Sequence, residues 1–208
     1  MSNTKEKKSI TILCTSDYHR SELVAKRIPE ICKKEKVDLL VNTGDFQSHA
    51  YAVEFLEQAN KLKIPTFVVP GNWDPGMKFQ SKYVKCHFEG IEEFKGYTFL
   101  FASEDGFHTS ELLLERIKDT NSKKLVLLSH YPPKGILDKI WDGRRVGFDG
   151  LREFIDIKKP VLHTFGHIHE DNGWKIIDQT LFINAALGSS RKCYLVTLPE
   201  QTVKTIVI

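Results

Sequence analysis

The chain has 208 residues, 41% of them hydrophobic and 11% aromatic, with 30 Lys and Arg against 27 Asp and Glu. That composition excludes a disordered chain, and the length suits one domain over residues 9–208 behind a polar tail at 1–8. A net charge of +3 is too small to point to nucleic acid by itself, and no apolar run approaches the ~18 residues of a membrane span. Cys14, Cys32, Cys86 and Cys193 stand singly, without zinc or redox spacing, and the N-terminal residues are polar with no apolar signal core. Both features predict reduced thiols in a cytoplasmic protein.

In chain order, an apolar run five times stops at a polar residue able to bind a metal. Ile10–Ser16 runs into Asp17, and 37–43 into Gly44-Asp45. Phe67–Pro70 then meets Gly71-Asn72, Leu125–Ser129 meets His130, and Val161–Phe165 meets Gly166-His167. Short continuous apolar runs bounded by breakers predict strands buried on both faces. Helical patterns lie between them. Ser21 caps the first, carrying Leu23, Val24, Ile28, Ile31 and Cys32, with Pro29 expected to kink it or delay its start. Val53, Leu56, Ala59 and Leu62 mark the second, and Thr109-Ser110-Glu111 opens the third through Leu113, Leu114 and Ile117. Asp149 is expected to cap the fourth, with Leu151, Phe154 and Ile155. Such alternation predicts crossover units and a largely parallel sheet. Residues 174–183 and 193–208 then read as two hairpins, which suggest a second sheet packed on the first.

Ligands in an open α/β sheet bind beyond the carboxyl ends of the strands. Those ends deliver Asp17, Asp45, Asn72, His130 and His167, with His19 and His169 two residues after Asp17 and His167. Any one of these, alone, is most simply a loop or cap residue; seven donors on one predicted rim are not explained that way. Gly44, Gly71 and Gly166 supply the tight backbone such a rim needs. A P-loop is excluded, because Met77 stands where Gly71–Lys78 would need lysine and Pro75 removes an amide. His87, His108 and His163 read as structural, His163 as a satisfied core histidine.

Asp17-Tyr18-His19, Gly44-Asp45, Gly71-Asn72, His130 and Gly166-His167-Ile168-His169 together resemble the ordered signature of the calcineurin-like metallophosphoesterases. The resemblance implies an α/β/β/α sandwich of two mixed sheets with helices on the outer faces. It also implies two metal ions: Asp17, His19 and His169 on the first, Asn72, His130 and His167 on the second, and Asp45 bridging both. Such a pair can activate a water for in-line displacement at phosphorus, with Asp45, Asn72 and His130 at the catalytic centre. Imidazole and oxygen donors without thiolate suit Mn, Fe, Zn or Ni.

The implied activity is hydrolysis of a small phosphodiester or an activated phosphomonoester. One departure bears on the leaving group: Trp73 stands where many relatives carry a histidine, and an indole cannot supply a proton at neutral pH. His49 is a candidate substitute, Asp74 a candidate to orient His130, and Arg144 and Arg145 candidates to bind a phosphate oxygen. Residues 184–189 lie where relatives have an Asn-Pro-Gly-Ser turn and are expected to support the rim. A non-catalytic metal-binding scaffold of the retromer-subunit type, working through a protein partner, is the alternative, and a nuclease ranks last.

Overall fold

The computed structural model describes residues 9–103 and 110–208, so the tail at 1–8, His108 and Thr109 lie outside it. One sheet is built from β1 (Ile10–Thr15), β2 (Leu39–Asn42), β3 (Thr66–Val68), β4 (Val84–Cys86), β11 (Lys192–Leu198) and β12 (Thr202–Val207). The other contains β5 (Glu89–Phe94), β6 (Tyr97–Ala102), β7 (Leu125–Ser129), β8 (Leu162–Phe165), β9 (Gly173–Ile177) and β10 (Thr180–Asn184). Their orders are β12-β11-β1-β2-β3-β4 and β5-β6-β7-β8-β10-β9. Four helices accompany them among the described residues: α1 (Glu22–Lys34), α2 (His49–Lys61), α3 (Ser110–Arg116) and α4 (Asp149–Lys158). No helix among the described residues is long and apolar enough to cross a membrane.

Alternation along the strands divides the core into three layers, because successive side chains point to opposite faces. Ile10, Ile12 and Cys14 of β1 join Phe99 and Phe101 of β6, Val126 and Leu128 of β7 and Ile183 of β10 between the sheets. Leu13, Leu40 and Val68 face the other way and pack beneath Ile28, Phe55 and Leu56 of α1 and α2. Leu100, Leu127 and Phe165 do the same beneath Leu113, Leu151 and Phe154 of α3 and α4. Helices therefore cover the outer faces of two mixed sheets.

The sheets are partitioned differently from the linear reading. The parallel strands do not form one sheet with the two hairpins forming another. β1, β2 and β3 are parallel in the first sheet, while β6, β7, β8 and β10 are parallel in the second. Each hairpin extends a different sheet: β11 pairs antiparallel with β1, and β9 pairs antiparallel with β10. The donors therefore sit on the rims of two sheets, not one. Strands β4 and β5 carry no such apolar run, since β5 (Glu-Gly-Ile-Glu-Glu-Phe) is half-solvated and β4 is three residues long, whereas β6 is a buried apolar run that ends at Ser103 and not at a metal donor.

Local chemistry explains the helix boundaries. The Ser21 side chain accepts the Val24 N–H, so α1 starts on time, and the helix then runs through Pro29. Asp149 is not the cap of α4 but its first residue; Phe148 occupies the cap position without a side-chain hydrogen bond. The Asp149 carboxylate instead stands in the first turn, where the helix dipole favours it.

His163, on β8, is fully buried beside Phe165 and Phe182, with one ring nitrogen 2.8 Å from Ser129 Oγ. Its Nδ1 has no partner among the described residues, so it is less satisfied there than a core histidine is expected to be. Burial pushes its pKa down to about 3, which keeps it neutral in the folded state. Unfolding returns it to the ordinary range, so its contribution is complete above pH ~6.5 and is lost as pH falls toward 3. We expect His163→Gln to reduce the slope of unfolding free energy between pH 6 and 4 by about 1.4 kcal/mol per pH unit, measured by urea titration.

Candidate metal centre

Register brings the donors level. Thr15 pairs with Asn42 and Asn42 with Val68 in the first sheet; Leu128 pairs with Thr164 and Phe165 with Asn184 in the second. The loops leaving these ends then bond to one another. Asp17 donates its amide to the Gly44 carbonyl at 2.8 Å, His19 to Asp45 at 3.0 Å and Arg20 to Phe46 at 3.1 Å. Within the second sheet Gly166 donates to the His130 carbonyl at 2.9 Å, and the two sheets meet at the same rim where Leu187 donates to the Ser16 carbonyl at 3.2 Å.

Two groups of donors converge there. Asp17, His19 and His169 form one, with His169 Nε2 at 3.0 Å and His19 Nε2 at 3.6 Å from Asp17 Oδ1. Asp45, His130 and His167 form the other, with His130 Nε2 at 3.5 Å from Asp45 Oδ2 and 3.2 Å from His167 Nδ1. Asn72 joins the second group: its Oδ1 lies 2.9 Å from His130 Nε2 and 3.0 Å from His167 Nδ1. Asp17 links the groups, because its Oδ2 accepts the His167 backbone N–H at 3.0 Å. Asp17, Asp45 and His130 are buried, whereas Asn72 is exposed and His19, His167 and His169 are half-buried. The groups thus form a floor of buried donors under an accessible edge.

The chemistry of this donor set fits a cation. His130 Nδ1 lies 2.6 Å from the Thr43 carbonyl, which can only accept, so Nδ1 donates there and Nε2 is turned to Asn72 Oδ1 and His167 Nδ1. An amide oxygen and imidazole nitrogens converging on one point are a donor set that suits a divalent ion. Burial pulls the His167 pKa down to about 4, with the adjacent His130 adding to the effect, so its ring is neutral and also able to ligate. Burial alone would raise the Asp17 pKa, but hydrogen bonds with His169 and His19 hold the carboxyl below its ordinary range. The hydrogen bond to Asp17 raises the His169 pKa, and burial raises that of Asp45.

The backbone is committed to this arrangement. Asp17, His19, Asp45 and His167 all have positive φ, between 45° and 69°. Left-handed conformations at non-glycine residues cost on the order of 1 kcal/mol each and persist where surrounding structure over-determines them. Gly71 and Gly166 are needed for space: a Cβ on Gly71 would stand 2.3 Å from Asp45 Oδ1, and one on Gly166 2.0 Å from Ser16 Oγ.

Asp74 does not orient His130; the Thr43 carbonyl does. The Asp74 carboxylate accepts four backbone N–H groups instead, from Asp45 (2.6 Å), Phe46 (2.9 Å), Gln47 (3.2 Å) and Gly71 (3.1 Å). Asn184 plays a similar part on the opposite side, donating Nδ2 to the Ile168 carbonyl at 2.8 Å beside His169. Trp73 is 56% exposed, and its backbone N–H occupies Asp45 Oδ1 at 2.9 Å.

His49 is exposed at the first position of α2, and no hydrogen bond or ion pair joins it to the rim among the described residues. Arg144 pairs with Asp142 at 2.6 Å, and Arg145 pairs with the buried Asp138 at 2.9 Å while also donating to the Gly135 carbonyl. Neither arginine contacts a rim donor among the described residues. The linear reading overlooked Tyr131, whose ring lies 4.3 Å from that of His167 and 5.2 Å from that of His130. Its place next to His130 was the available signal.

Residues 10–171 match the model of the calcineurin-like phosphoesterase family, and the chain belongs to that family. UPF0046 protein K07C11.7 of Caenorhabditis elegans is 27% identical over 209 residues, covering 85% of this chain and 69% of the relative. TT1561 of Thermus thermophilus superposes with a TM-score of 0.70 at 15% identity, covering 96% of this chain and 99% of the other. A protein described as a novel archaeal phosphodiesterase superposes with a TM-score of 0.60 at 16% identity, over 96% and 100% of the two chains. At these identities the structural likeness establishes the fold.

Removing the Asp74 carboxylate strands several inward-facing amides. We expect Asp74→Ala to lower unfolding free energy by ~3 kcal/mol, measured in urea, since each buried amide left unpaired costs ~1–3 kcal/mol.

Proposed function

We propose that this protein is a metal-dependent phosphoesterase acting on a small phosphodiester or an activated phosphomonoester. The observation that carries the reading is the pair of donor groups converging on one accessible rim. In this reading Asp17, His19 and His169 hold one divalent ion, and Asn72, His130 and His167 hold a second. Asp45 lies between them; with Oδ1 engaged by the Trp73 amide, it contributes Oδ2. Mn, Fe, Zn and Ni suit these imidazole and oxygen donors. Bound ions would supply Lewis-acid stabilisation of phosphoryl oxygens and a nucleophilic water near neutral pH.

The remaining work falls to the chain itself. Asp74 and the three rim glycines fix the carboxylates and imidazoles before substrate arrives, so little reorganisation is left for the reaction. The exposed Asn72 amide and the half-buried His167 and His169 border the side from which a phosphate can approach. Trp73 offers no proton for a departing alkoxide, which favours substrates whose leaving groups need none.

The test is hydrolysis of an aryl phosphodiester by chelator-stripped protein, with and without added Mn²⁺. Activity restored by metal and reduced at least ~10³-fold in Asp45→Asn is expected. No hydrolysis with any of the four metals would turn attention to a scaffolding role. A second outcome follows from position 73. Trp73→His should raise turnover of an alkyl diester by ~10-fold or more, and that of the aryl diester by much less, because general-acid help matters most for poor leaving groups.

A further inference from the structure

Five of the seven arginines close ion pairs: Arg27 with Glu30, Arg116 with Glu89, Arg144 with Asp142, Arg145 with Asp138 and Arg152 with Asp156. Arg20 and Arg191 have neither an ion pair nor a side-chain hydrogen bond among the described residues. Arg20 lines a cavity between α1 and α2 whose walls also carry Glu22 and Glu54, so its charge is balanced locally. Arg191 is different. It lines a cavity of about 350 Å³ that contains Asp17 and His19 of the first donor group and is walled by Leu23, Leu187 and Ile208. The only side-chain carboxylate lining that cavity among the described residues is Asp17, already engaged by His169 and the His167 amide.

The Arg191 backbone is pinned. Its φ is +50°, its N–H donates to the Leu187 carbonyl at 2.8 Å, and its carbonyl accepts from Ile208 at 2.9 Å. The same turn carries Gly188, where a Cβ would stand 2.6 Å from His169 Nδ1. One short segment therefore presses against a donor of the first group and carries an arginine, unpaired among the described residues, in the lining of the adjoining cavity. The volume lies within the range of small-molecule sites, and the lining sets apolar side chains beside a few polar groups, Asp17, His19, Ser21 and Arg191, as such sites do.

We propose that this cavity is a subsite for the portion of the substrate beyond the phosphoryl group, and that Arg191 binds a second anionic group there. The substrate class is then an organic phosphate ester with a short apolar body and a further phosphate or carboxylate. Guanidinium pairs bidentately with either oxyanion. The inference rests on the phosphoesterase reading and adds to it the charge and shape of the substrate.

The experiment compares two probe series on the Mn²⁺-loaded full chain by isothermal titration calorimetry. One is α,ω-alkane bisphosphonates with three to six methylenes; the other is alkyl monophosphonates of matched length. Expected is a bisphosphonate of one length binding about tenfold tighter than its monophosphonate partner, in line with a charged hydrogen-bonded pair at a partly exposed site. In Arg191→Gln the ratio of the two Kd values should collapse towards one, and Arg191→Lys should restore part of it. An ω-carboxyalkyl phosphonate series separates phosphate from carboxylate as the preferred second group. A bisphosphonate advantage absent at every length, or undiminished in Arg191→Gln, overturns the subsite while leaving diester hydrolysis and monophosphonate binding intact. Failure of every probe to bind, together with absent hydrolysis, overturns the phosphoesterase reading and the subsite together. Because the Arg191 side chain is exposed and without a partner among the described residues, thermal melting of the variants should match that of the parent protein.

Discussion

Everything at the rim depends on backbone segments lying closer together than side chains ordinarily permit, and one carboxylate fixes much of that closeness. Asp74 binds amides on both the Asp45 loop and the Gly71 turn, so the second and third strand ends are tied through a single buried anion. The glycines do the complementary work by leaving room. A methyl group on Gly44 would fall 2.3 Å from the Gly71 nitrogen, which means the two turns touch through bare backbone. Donor positions then follow from main-chain geometry, and the side chains have little freedom left to spend.

That arrangement explains why the left-handed residues cluster here. Asp17, His19, Asp45 and His167 are held in a conformation each would avoid in a free chain, and the loop-to-loop hydrogen bonds maintain it. A site of this kind is organised before its ligand arrives.

Five of the seven donors were legible in the sequence because each ends an apolar run, with His19 and His169 two residues further on, and burial of a strand on both faces leaves an unmistakable pattern. The glycines beside them were legible for the same reason. Their partition between two sheets was not, since a hairpin carries no mark of which parallel strand it will join. The role of Asp74 was hidden because its partners are amides, which have no signature in side-chain order. Arg144 and Arg145 looked available only because Asp142 and Asp138 lie in the same loop, where pairing depends on a fold-back that linear spacing does not reveal. Arg191 attracted no notice for the converse reason: what sets it apart is the lack of a neighbour.

Both donor groups draw on residues from opposite ends of the chain. Asp17 and His19 leave β1 in one sheet, while His167 and His169 follow β8 in the other, so contacts such as Asp17 to His169 close a loop of about 150 residues. Neither group exists until the two sheets have docked, and during synthesis neither is complete until the segment after β8 has emerged. Contacts of such long separation form late and slowly, since their loop-closure entropy must be met first. An ion held at the rim would therefore act as a clasp between the sheets, stabilising the docked state over any half-assembled one. Metal availability would then govern how long a newly made chain persists as well as what it can catalyse.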